Sequence, residues 1–133
     1  MKNKKVRGYI SSRDIDGSIV SHKIQNLVIR DFCQSNNFSY LLSSVEYKMR
    51  KSFLILQDIL SEIKSLDGIV MYSMFQVPTE IEYRKKLFKD IIKKKKFISF
   101  AVENIIIKNQ KDLKKFEEIY KINSLLKFCP TKI

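Results

Sequence analysis

The chain has 133 residues, 44% hydrophobic and 30% charged, which fits one globular domain and excludes a disordered chain. Its longest apolar runs, such as FLIL and III, fall far short of a membrane-spanning helix. The net charge is +12, which draws anionic partners in general without selecting one.

In chain order the pattern alternates between short strand-like and helix-like runs. KVRGYIS (5–11) is rich in β-formers and ends in serines, and it predicts a first strand. Ile24, Leu27, Val28 and Phe32 recur at helical spacing, which predicts a helix over 20–34 that Ser21 can cap. NFSYLLSSV (37–45) reads as the second strand. A second helix is expected over 52–66, where Phe53, Leu56, Ile59, Leu60 and Ile63 share one face, Ser52 is a cap and Asp67-Gly68 is the stop. GIVMYSMF (68–75) is nearly continuous apolar sequence, as a strand covered on both faces requires. Pro78 and Thr79 open a third helix whose expected buried side is Ile81, Leu87, Phe88, Ile91 and Ile92. KFISFAVEN (96–104) reads as the fourth strand, and a charged helix follows over 111–120. The core is expected to span 5–122. The tail, 123–133, is left unassigned, with Pro130 ending any helix there.

Strand–helix units joined by short links predict an α/β fold. The expected form is a three-layer, doubly wound sheet of four mainly parallel strands in the order 2-1-3-4. Ligands of such sheets bind beyond the carboxyl ends of the strands, at the switch point between the first and third. SSRD (11–14), SSVEY (43–47), YSMFQVP (72–78) and ENI (103–105) all fall on that edge.

Ser11, Ser12 and Arg13 suit an anion, through hydroxyls and a guanidinium. Ser12 suits a nucleophile only with a base in reach, which sequence cannot show; a polar strand end and turn led by Asp16-Gly17 is the other reading of this stretch. The only histidine, His22, precedes or opens the first helix near the same edge and reads first as a surface residue. Glu46 and Glu103 each follow an apolar strand. Two readings stay open for them: acid–base or cation-holding work, or a structural bridge to Arg13 or Arg50. Tyr47, Tyr72, Phe75 and Gln76, with Asn104 nearby, suit the wall of a sugar or base pocket; core packing is the other reading for Tyr72 and Phe75. No glycine-rich nucleotide fingerprint occurs, so no cofactor is expected. One histidine and two distant cysteines, Cys33 and Cys129, give no metal site and predict reduced thiols. The amino-terminal stretch lacks an apolar signal core, so the expected location is cytoplasmic.

The segment 84–96 holds eight basic residues and one acidic, over half of the net excess. Only five of the 26 basic residues are arginine, the usual reader of bases and phosphates, so nucleic acid is not the expected partner.

Taken together, RGYISSR, QNLVIRDFC, LLSSVEY, LDGIVMYSMFQVP and FAVEN, in order from about residue 7 to 120, resemble the sporadic carbohydrate cluster protein family. That resemblance implies a bacterial protein of surface-polysaccharide or lipopolysaccharide biosynthesis, with no reaction attached. In layout, GYISS, RKSFLILQDIL and DGIVMYSM also resemble the catalytic domain of serine recombinases, which implies a resolvase- or flavodoxin-like sheet. Gly8 and Tyr9 match that family's first strand, and Arg50 matches the arginine before its second helix. Ser11 falls where that family has its arginine, and Arg13 where it has its serine. Phe75, Gln76 and Thr79 stand where its acidic residue and two arginines belong, so the recombination machinery is not expected to work here. Three functional readings follow. One is an enzyme or binder acting on an activated or acidic sugar, Arg13 holding the anion and Glu46 or Glu103 moving a proton. Another is a non-catalytic module that docks a glycan-biosynthesis enzyme. The last is a nucleic-acid-binding relative of the recombinases. A homodimer is a further expected partner state.

Overall fold

The computed structural model describes residues 4–12, 19–46 and 54–126. Among them the elements run β1 (Lys4–Ser11), α1 (His22–Ser35), β2 (Phe38–Glu46), α2 (Leu54–Ser61), β3 (Gly68–Met71), α3 (Ile81–Lys93), β4 (Phe97–Phe100), β5 (Ile105–Ile107) and α4 (Gln110–Leu126). Single 3-10 turns follow α2, at Ile63–Ser65, and β3, at Met74–Gln76.

The fold is α/β, with one sheet in the order β2-β1-β3-β4-β5. The first four strands are mutually parallel and take the expected order; β5 pairs antiparallel with β4. Among the described residues the sheet therefore has five strands, not four. The sequence FISFAVENIII conceals a hairpin. Residues 101–104 form a tight turn, with Asn104 N–H bonded to Ala101 O and Asn104 at φ 55°, a left-handed position that asparagine tolerates. Apolar run length alone cannot show such a reversal.

Side chains alternate across the sheet with the period of two that extended backbone imposes. Tyr9, Ile69, Met71, Ile98 and Phe100 face α2, α3 and α4, joining Leu56, Ile59, Leu87, Phe88, Ile91 and Phe116. Val6, Ile10, Val70 and Phe97 face the other way, onto Ile29, Phe32 and Cys33 of α1. Each fully buried large side chain contributes about 1.5–3 kcal/mol.

Two helix faces differ from the periodicity reading. In α1 the inward residues are Gln25, Ile29, Phe32 and Cys33, while Ile24 and Leu27 are 50% and 53% exposed. A polar residue has taken a core position, because it serves backbone groups at the end of β1. In α3 the inward residues are Arg84, Leu87, Phe88 and Ile91, while Ile81 is 54% exposed. Arg84 pairs with Glu117 through two nitrogens, at 3.0 and 3.1 Å. It also donates to Pro78 O and Thr79 O and lies over the Tyr120 ring. Arg84 is thus an internal brace between α3 and α4, and it drops out of the basic surface segment.

Between β1 and β2 the register shifts around Gly8. A methyl group at Gly8 would lie 2.2 Å from Ser43 Oγ and 2.9 Å from the Tyr40 ring. Only glycine lets β2 approach there, so Gly8→Ala is expected to cost about 1–3 kcal/mol in a urea titration.

Cys33 is buried, and burial pushes its thiol from an ordinary 9.0 up to about 11. The unfolded thiol loses its proton as pH passes 9.0; the folded one keeps it until about 11. Between those values the unfolded state holds fewer protons, so this group's contribution to stability declines with rising pH, by at most about 2–3 kcal/mol. Denaturant titrations of wild type and Cys33→Ala below pH 9.0 and near pH 11 isolate it: the wild type loses more stability than the variant.

Candidate functional site at the carboxyl edge of the sheet

β1 ends at Ser11, beside β3, at the point where the strand order reverses. Ser12 follows immediately. The helix that packs on β1 begins at His22, with Ser21 as its cap: Ser21 Oγ accepts the Ile24 N–H. That return of the chain brings Ser12 Oγ within 2.8 Å of His22 Nε2. Both residues are half-buried. When Nε2 carries no proton it accepts from the serine hydroxyl; when it carries one it donates, and the serine O–H turns outward. The pair can therefore move a proton or present a hydroxyl donor to an anion.

Gln25 underpins this corner. Its amide oxygen accepts from Ser11 N–H and from Gln76 Nε2, each at 3.0 Å. Its amide nitrogen donates to Ser11 O at 2.7 Å and to Val20 O at 2.8 Å. All four of its hydrogen-bonding positions are filled, and no part of the residue is exposed. Gln76 continues the chain by accepting the Ser73 N–H at 3.1 Å.

Glu103 reaches back from the β4–β5 turn to the 3-10 turn after β3. Its carboxylate accepts Ser73 O–H at 2.8 Å and Met74 N–H at 2.9 Å. Both of its oxygens thus accept hydrogen bonds from within the fold, where they cap the turn.

The residues singled out from sequence are distributed as follows. Ser11, Ser12 and Gln76 meet around Gln25 and His22. Ser11 and Gln76 are buried, and the contacts seen for them are with the supporting amides; Ser12 stands at the surface side. Tyr72 is half-buried against the α1-side core. Phe75 packs partly buried against the opposite core, with its ring 6.2 Å from that of Tyr120. Asn104 is exposed in the β4–β5 turn. Glu46 ends β2 opposite Ser11, and only its backbone belongs to the described structure. Two strands, β1 and β3, lie between β2 and β4, so the strands leading to Glu46 and Glu103 stand about 14 Å apart. Arg13, Tyr47 and Arg50 lie outside the described residues.

The missed participant is Gln25. The signal was present: Gln25, Ile29, Phe32 and Cys33 keep helical spacing as well as the apolar set does. Scoring only apolar residues hid it.

Among the described residues no group of three or more His, Cys, Asp or Glu could hold a metal ion. A groove of about 560 Å³ runs between α2 and α3, lined by Leu60, Leu87, Gln57, Tyr83, Lys86 and Asp90 among others, on a helical face rather than at this edge. Among the described residues no helix is long and apolar enough to cross a membrane. No protein-family model, curated protein or solved structure matches the chain.

Replacing Gln25 with leucine removes the amide that serves Ser11 N–H, Ser11 O, Val20 O and the Gln76 amide at a largely buried corner. The expected loss is about 3–5 kcal/mol, read in a urea titration. Ser12→Ala, which removes one half-buried hydroxyl, is expected to cost under about 1 kcal/mol in the same assay.

Proposed function

We propose that the chain binds an activated or acidic sugar at the carboxyl edge of its sheet, in bacterial surface-polysaccharide or lipopolysaccharide biosynthesis. The observation that carries this reading is the Ser12–His22 contact at the strand-order switch point. Open α/β sheets take their ligands there, and a serine hydroxyl backed by an imidazole suits a phosphate or carboxylate oxygen. Arg13, next in sequence, adds a cation of the right kind for the same group. The biosynthetic setting is supported by the ordered motifs from RGYISSR to FAVEN, which resemble the sporadic carbohydrate cluster family.

A second reading, a non-catalytic sensor or docking module for a glycosyltransferase, has its own support. Both oxygens of Glu103 accept internal hydrogen bonds, which suits a structural carboxylate better than a proton carrier.

Thermal melting at fixed ionic strength, with nucleotide sugars, free sugar acids and polyprenyl-phosphate mimics, tests both. A ligand at about a hundred times its dissociation constant adds close to 2.7 kcal/mol. The expected result is a shift selective for one sugar class and abolished by Ser12→Ala or Arg13→Ala. Product analysis with the shifting ligand then separates enzyme from binder. No shift with any sugar derivative overturns the ligand-binding reading and leaves the docking module.

A further inference from the structure

The lysines come from separate stretches of sequence, and the topology collects them. Lys4 and Lys5 open β1, Lys64 lies in the turn before β3, and the run 93–96 precedes β4. Because β5 is antiparallel, with Ile107 level with Ile98, Lys108 returns to the same end. Eight lysines thus stand at the amino-terminal edge of the sheet, opposite the Ser12–His22 corner. All are exposed except the half-buried Lys96.

Among the described residues no acid forms an ion pair with them. Asp67 accepts the Lys5 backbone N–H, and Asp112 accepts that of Lys108. The ion pairs seen among the described residues, Arg7–Glu62 and Arg84–Glu117, both use arginine.

One residue of the run sits where lysine is a costly choice. Helix α3 ends in a Schellman motif: Lys96 N–H bonds Ile91 O and Lys95 N–H bonds Ile92 O. Lys95 occupies the left-handed position of that motif, at φ 60°. Glycine fills such a position at least cost. Among the described residues the other two non-glycine positions with positive φ, Asn37 and Asn104, are the tolerated type. At Lys95 charge has been kept at the expense of backbone comfort.

We infer that this lysine edge docks the protein on an anionic lipid surface. The partner follows from the chemistry. The edge is made of point charges on flexible stems, which suit a diffuse sheet of lipid phosphates. Among the described residues no unpaired arginine joins these eight lysines, and arginine forks are what reads nucleic acid; Arg7 of β1 is paired with Glu62. Docked this way, the protein turns its carboxyl edge toward solvent.

The test is co-sedimentation with phosphatidylglycerol–phosphatidylcholine vesicles and with pure phosphatidylcholine vesicles, over a range of salt. Binding is expected only to the anionic vesicles, and to fade as salt rises. Each lysine at the surface is worth about fivefold in partition, so Lys93→Gln, Lys94→Gln and Lys95→Gly together weaken it about a hundredfold. Lys95→Gly alone is expected to melt higher yet bind about fivefold less. Lys114→Gln, Lys115→Gln and Lys121→Gln on α4 remove the same net charge elsewhere and leave partition nearly unchanged. Absence of binding at low salt, equal binding to neutral vesicles, or equal loss in the α4 variant overturns the inference. So does preference for duplex DNA over the anionic vesicles in competition.

Discussion

The side-chain amide of Gln25 holds this fold's most constrained position. It lies in the dry space between α1 and β1, and it meets the end of a strand, the approach to a helix and the turn beyond β3 at once. A buried amide left unpaired would be a liability of several kcal/mol; paired at all four positions it fixes geometry instead. The place where β1 hands over to Ser12, the rotation of α1 about its own axis, and the seat of Gln76 all follow from it. The exposure of Ile24 and Leu27 follows too, since a helix that turns Gln25 inward must turn those residues outward.

That constraint gives the two ends of the sheet different characters. At the carboxyl end, polar side chains are cross-braced: amide to amide, carboxylate to turn, hydroxyl to imidazole. At the amino end most of the lysines stand exposed; Lys96 is half-buried and Lys4 lies over the Phe97 ring. Rigid donors suit recognition of one small molecule in one pose, because orientation is already settled before the ligand arrives. Mobile charges suit a broad anionic partner that demands no pose. The same 133 residues thus hold two ends of contrasting character a strand's length apart.

Much of the frame was legible from sequence because it rests on run length and period. The order of the four parallel strands followed from the strand–helix alternation and the crossover rule, and the cap at Ser21 needed only local chemistry; the second helix, expected to run to Asp67-Gly68, ends at Ser61 and gives way to a 3-10 turn at Ile63–Ser65. The antiparallel β5 was not legible, because its turn at 101–104 contains neither glycine nor proline and its strands are both apolar. The inward faces of α1 and α3 were read in part: Phe32 on α1 and Leu87, Phe88 and Ile91 on α3 are buried as expected, while Ile24, Leu27 and Ile81 are not. The misses share a reason: Gln25 and Arg84 are polar residues in core positions, each made tolerable by partners far away in sequence. Gln76 lies 51 positions from Gln25, and Glu117 lies 33 from Arg84. Ser12 and His22, ten positions apart, were both placed near one edge, but their contact depends on how tightly α1 docks, which no local pattern encodes.

β1 precedes the other strands of this sheet in sequence and lies second in it, with partners on both sides. Its pairing with β2 closes a short loop, whereas its pairing with β3 joins Val6 to Gly68 across most of the first half of the chain. During synthesis the serine–histidine contact can therefore assemble long before its support exists. Gln76 emerges 51 residues after Gln25, about 3–10 s later at ordinary translation rates. Until then one of the four hydrogen bonds of the Gln25 amide, the one to Gln76, has no partner; the other three go to Ser11 and Val20, which precede it. The corner's final stiffness is acquired only when the second half of the sheet arrives.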